Sequence, residues 1–229
     1  MNRSWKMIRG TAPAIVLAAA FTIVGCNSGG NGTDSLATDN GMIAMAKTDT
    51  KAASLRQALD SLLQEHVALI EQATNASLAG RNDEFTAAAN AIDANSQELA
   101  AAIGSIYGSD GQNQFYDLWK KHIGFYIEYT SGLAKGDKAA SDKANDELTA
   151  YSDDLASFLE ATTGGRLKKD PTADLIRANI SGVKGMIDSE AQKDWGTVFP
   201  KERQTEKTTW TFGDAFAAAI VDQFPDKFQ

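Results

Sequence analysis

Two histidines are the residues best suited to chemistry in this chain of 229. His66 and His122 both fall on an apolar stripe of helical spacing and lie 56 positions apart. A neutral imidazole held in a helical core is ready to ligate a metal ion or a haem iron. The competing role is a polar layer, with one hydrogen-bonding side chain per repeat fixing the register between helices. Asn179 occupies the corresponding place further along; an amide is a poor metal ligand but a good member of such a layer. Asn95 and Ser152, on the following helices, are the expected partners. Two roles therefore stand open for His66 and His122: metal ligands, or a structural layer.

Supporting motifs for an enzyme are missing. No Glu-x-x-His puts two ligands on one helix face, and the residues four away from the histidines are Leu62, Ile70, Leu118 and Tyr126. There is no Cys-x-x-Cys-His for haem, no His-Glu-x-x-His for zinc and no Gly-x-Ser-x-Gly elbow. Asp83-Glu84 complements a helix N-terminus and needs no catalytic role. No catalysis is expected.

Positioning of these residues falls to helices alone. Leu55, Leu59, Leu62, His66, Leu69 and Ala73 alternate at spacings of four and three, ending at Gly80. A second helix, capped by Asn82, carries Phe85, Ala88, Ile92, Asn95, Leu99, Ile103 and Ile106 to Gly108, where Ser109-Asp110-Gly111 reads as a turn. A third carries Phe115, Leu118, His122, Phe125, Tyr129 and Leu133 to Gly136. A fourth opens at Asp137, buries Leu148, Ser152, Leu155 and Leu159, and ends at Gly164-Gly165. Asp170-Pro171 reads as cap and first residue of a fifth, to about Asp188. A sixth is predicted from about Lys201 to Phe224. No segment alternates with period two.

The helices pair as copies. Gln64–Val67 lies 56 before Lys120–Ile123, Thr74 before Thr130, Gly80 before Gly136, Ile103 before Leu159 and Gly108 before Gly164. Arg177–Ile180 begins a more worn third copy. The predicted fold is all-α: three αα-hairpins of about 55 residues, packed as a bundle or short solenoid over 51–229. The third copy is stretched by Trp195 to Pro200, which reads as a loop. Bulky residues in a loop on a rigid scaffold mark a contact point, so Trp195 and Phe199, with Trp210, are the expected partner-contact residues. A pocket lined by Trp119, Phe125, Tyr126 and Tyr129 is a further candidate for an apolar ligand.

The first 50 residues read differently. Met1 to Thr11 carries Arg3, Lys6 and Arg9 and no acid, Ala14 to Val24 is apolar, and Ile23-Val24-Gly25 precedes Cys26, the only cysteine. That order is a secretory signal peptide over 1–25, too short to span a bilayer comfortably. The cysteine at its end resembles the lipobox of bacterial lipoproteins, which implies lipidation of Cys26 as the first mature residue. The membrane is then a partner through that lipid, and the chain faces outside the cytoplasm. Residues 26–50, rich in Gly, Ser, Asn, Asp and Thr, read as a tether; Met42 and Met45 in it are a poor metal signal. Loss of three basic residues takes the net charge from −8 to −11, which argues against nucleic acid as a partner.

Glu65-His66-Val67, Ala102–Gly108, Leu118–Gly124 and Ala219–Pro225 resemble segments of secreted helical proteins of Gram-positive bacteria, over roughly Leu55 to Phe228. Some members carry a copper amine oxidase label through a separate wall-associated domain. This sequence shows neither that domain nor the three-histidine copper set, so the resemblance implies no activity. The expectation is a non-enzymatic cell-surface lipoprotein that binds a protein partner or serves the envelope. The alternative is a bundle that binds a metal or cofactor through His66 and His122.

Overall fold

The structure, a computed structural model, describes residues 50–229. The expected signal peptide, Cys26 and most of the tether, including Met42 and Met45, lie outside the described residues. Five α-helices account for nearly all of the remainder: α1 (Lys51–Leu78), α2 (Asn82–Lys135), α3 (Lys138–Thr162), α4 (Lys169–Ala191) and α5 (Trp195–Gln223), followed by a 3₁₀ turn at Pro225–Lys227. There is no strand among the described residues.

Local chemistry sets the ends. Thr50 Oγ1 accepts from Ala53 N at 3.1 Å to start α1, and Asp137 Oδ1 accepts from Ala140 N at 3.1 Å to start α3. At the other ends the backbone turns left-handed. Gly136 (φ 67°) donates to the Leu133 carbonyl while Asp137 N reaches back to Gly132 O at 2.8 Å, satisfying two orphan carbonyls of the last turn. Gly80 and Gly164 close α1 and α3 with the same pair of bonds. Lys193 does so for α4 at φ 57°, the only positive-φ residue besides glycine among those described.

Four boundaries differ from expectation. Asn82 and Asp170 are not caps: Arg81 and Lys168 hold those positions, and Asp83, Glu84 and Asp170 sit in the first turns, where their charge meets the helix dipole. The turn predicted at Ser109-Asp110-Gly111 is helical; the break is at Gly108 alone (φ 78°, ψ −178°). That break reverses the chain. Tyr116 Oη donates to Asp93 Oδ1 at 2.6 Å, whereas residues so far apart in a straight helix would stand about 35 Å apart. So α2 folds back on itself at one glycine. Finally, Trp195 to Pro200 is no loop. Asp194 O accepts from Thr197 N and Val198 N, Val198 is buried, and the segment forms the first turns of α5. Pro200 lies inside the helix, as its sixth residue, and leaves the Gly196 carbonyl without its usual intrahelical donor.

The helices close into a bundle. Each packs on the next in sequence, and α5 returns to pack on α1, which rules out an open solenoid stack. Each helix therefore has neighbours on two sides and buries a wider arc than one stripe. In α1 the buried set is Leu59, Leu63, His66, Val67, Ile70 and Ala73, while the predicted Leu55, Leu62 and Leu69 pack only partly. In the second half of α2, Trp119 and Tyr126 go inside and Leu118, Phe125 and Leu133 stay half-buried. The α3 set, Leu148, Ser152, Leu155 and Leu159, is buried as expected. Phe115, Tyr126, Met186 and Phe216 fill the middle of the core. Where helices touch most closely glycine is needed: a Cβ on Gly132 would stand 2.8 Å from Ser141 N.

Candidate functional site

The two histidines meet in the core. His66 comes from the middle of α1 and His122 from the second half of α2; each is 5 % exposed. Their Nε2 atoms are 3.2 Å apart. The other nitrogen of each ring is occupied. His66 Nδ1 lies 3.2 Å from Asn95 Oδ1, and Asn95 Nδ2 donates to Leu62 O at 3.0 Å and Glu65 Oε2 at 2.9 Å. With its amide nitrogen so engaged, Asn95 presents its oxygen, so His66 Nδ1 carries the hydrogen. His122 Nδ1 bonds the carbonyl of Trp119, which can only accept, so this Nδ1 is the donor as well. Both rings thus hold their proton on Nδ1 and point bare Nε2 lone pairs at the same place.

Burial keeps both rings neutral. It pushes His66 down to about 4, partly offset by the bond to Asn95. Burial, then the neighbouring His66, pushes His122 well below the ordinary imidazole value. Aromatic rings wall the pair: Trp119 lies edge-on to His122 with centroids 4.5 Å apart, and Tyr151 stacks on it at 4.9 Å and 25°.

A partly open cavity of about 40 Å³ borders both rings, lined among others by Val67, Trp119, Tyr126, Tyr151 and Asn179. It has room for an ion with one or two waters, far below the roughly 300 Å³ of sites that take organic cofactors. Haem does not fit it. The lining is apolar except for a few polar atoms, and the hydroxyls of Tyr126 and Tyr151 and the indole Nε1 of Trp119 are buried with no hydrogen-bond partner among the described residues. Burial raises both phenols far above the ordinary tyrosine range, so both are neutral hydroxyls. Asn179 also reaches the cavity wall, donating to Thr209 Oγ1 at 2.6 Å.

The sequence located the histidines and Asn95 correctly. Ser152 is not a partner of His122; its hydroxyl bonds Leu148 O in its own helix at 3.2 Å. The residue that meets His122 is Tyr151. The offset of 56 carried from Asn95 lands on Tyr151, so the signal was present one position away. Of the proposed aromatic pocket, Trp119 and Tyr126 line the cavity; Phe125 and Tyr129 do not, and Tyr129 Oη donates instead to Asp188 Oδ1 at 2.5 Å. Trp195, Phe199 and Trp210 are 49 %, 56 % and 43 % exposed on α5, away from the cavity, with Trp210 Nε1 donating to Gln64 Oε1 at 3.2 Å. No cluster of three or more His, Cys, Asp or Glu side chains suited to a metal occurs among the described residues. No helix among them is long and apolar enough to cross a membrane.

No protein-family model, no curated protein and no solved structure matches the chain.

Proposed function

We propose that this chain is a lipoprotein held at the outer face of a cell membrane through Cys26, with a helical bundle that binds a ligand and performs no catalysis. The anchor rests on the order of basic segment, apolar run and Cys26. The bundle is read as three αα-hairpins, six helical segments in all. Left-handed glycines at Gly80, Gly108, Gly136 and Gly164, each 28 positions after the last, support this reading, as does the reversal within α2.

The observation that carries the binding role is the facing pair of Nε2 lone pairs at 3.2 Å beside a small cavity. An apolar core does not leave polar atoms unpaired without cost, and here three residues that carry such atoms, Trp119, Tyr126 and Tyr151, line one space. That space takes a ligand of ionic or water-like size. Its small volume favours binding over turnover, since a substrate of ordinary size does not fit beside the imidazoles.

The test is mass spectrometry of the full chain recovered from the membranes of bacteria that express it. A lipid mass on Cys26 and a small adduct under native conditions, lost on denaturation, are expected. An unlipidated chain or a bare native mass counts against the anchor or the binding role respectively. A second reading, docking of a cell-surface protein on α5, is favoured by Trp195, Phe199 and Trp210 lying about one and three turns apart on one exposed strip. Replacing all three by Ala is then expected to abolish cross-linking to that protein without changing the melting temperature.

A further inference from the structure

We propose that the core holds a divalent transition-metal ion, bound by His66 Nε2 and His122 Nε2. The inference rests on the cavity being a binding site and names its occupant. Geometry selects the ion over the alternatives. Two imidazole nitrogens on a tetrahedral ion at about 2.0–2.1 Å stand about 3.3–3.4 Å apart. The observed separation of 3.2 Å matches that span.

A water donating to both nitrogens does not fit. Two bonds of about 2.8 Å from one water place their acceptors roughly 4.4 Å apart. A direct N–H···N bond needs a proton on one Nε2, and each way of supplying it has a defect. An added proton makes an imidazolium in an apolar core. Moving the proton across either ring turns an Nδ1 lone pair against an oxygen, Asn95 Oδ1 for His66 or the Trp119 carbonyl for His122.

The hydrogen bonds on the far side of each ring fit as well. Metal-bound histidines donate their other N–H to a carboxylate, amide or carbonyl oxygen, which fixes tautomer and ring plane. Asn95 Oδ1 and Trp119 O do this here. Nitrogen ligands favour zinc, copper, cobalt and nickel over magnesium and calcium. Only two imidazoles serve, and no third such ligand joins them among the described residues, so water or a small anion completes the coordination. Tyr126 and Tyr151 offer hydroxyls on the same cavity to hold it.

The decisive experiment uses the untagged full chain in mild detergent, stripped with a chelator and titrated with Co²⁺, then Zn²⁺. One Co²⁺ per chain with a visible tetrahedral spectrum, displaced by Zn²⁺, is expected. His66→Gln and His122→Gln should each weaken binding at least 100-fold. Should those variants not fold, the imidazole ¹⁵N spectrum of the unmodified chain decides: Zn²⁺ must shift both Nε2 signals and leave both Nδ1 protonated. Unchanged imidazole signals at saturating Zn²⁺ overturn the inference. A non-metal adduct in native mass spectrometry overturns the ion and leaves the binding role standing; neither adduct nor ion overturns both.

Discussion

Asn95 Oδ1 lies 3.2 Å from His66 Nδ1, and this contact decides which nitrogen of the ring keeps its lone pair. The amide is held the right way round by its own donors, which reach Leu62 O and Glu65 Oε2. Asn95→Leu removes all three bonds at a position 3 % exposed. A loss of about 1–3 kcal/mol in urea unfolding is expected, because buried partners are left unpaired. Zinc affinity, read by competition with a coloured chelator, is expected to fall about 10–100-fold. An unchanged affinity would separate Asn95 from the site.

Lys193 closes α4 in a left-handed conformation, φ 57°, that costs a side-chain-bearing residue energy. The same position after α1, α2 and α3 is glycine. Lys193→Gly is expected to stabilise the bundle by about 0.5–1 kcal/mol, visible as a higher melting temperature.

Gly132 allows the end of α2 to lie against the start of α3. A methyl there would meet Ser141 N at 2.8 Å and Asp137 O at 3.1 Å, both backbone atoms that cannot rotate away. Gly132→Ala is expected to cost about 1–3 kcal/mol despite the better helix propensity of alanine. A neutral or stabilising result in a denaturant titration would show that the two helices separate freely here.

Glu190 carries a pH dependence. It is 3 % exposed, its Oε2 accepts from Thr74 at 3.2 Å, and its Oε1 has no partner among the described residues. Burial first, and the Glu71 carboxylate second, raise it above the ordinary value of 4.5. The folded chain therefore binds this proton more tightly than the unfolded chain. Its contribution is full below pH 4.5 and is lost as pH rises through the raised folded value. Glu190→Gln is expected to match the unmodified protein in acid and to exceed it in stability at alkaline pH. Parallel unfolding curves across the whole range would contradict this.

Much of the fold was legible because helix periodicity and glycine punctuation are local signals. Gly80, Gly136 and Gly164 end helices where expected, and the α3 stripe is buried as read. The misses came from packing. A helix with two neighbours buries residues on both flanks of its stripe, so Leu63 and Val67 enter the core while Leu62 and Leu69 stand at its margin. Trp195 to Pro200 read as a loop because it stretches the third copy, yet the segment is helical and buries Val198. At the site, shared repeat position brought His66 and His122 together on paper. Their tautomers were not legible, because these depend on the Asn95 amide and the Trp119 carbonyl facing them in space.

The burial of the two imidazoles has a kinetic consequence. The imidazoles sit about halfway along their helices, roughly 20 Å from either end of the bundle by helix rise. With both rings only 5 % exposed, an occupant of their Nε2 atoms exchanges slowly unless the helices part. The residence time of an occupant is then set by the rate at which the bundle opens. Removal by an external chelator should run at a rate independent of chelator concentration, and every substitution that loosens the helix contacts should quicken it.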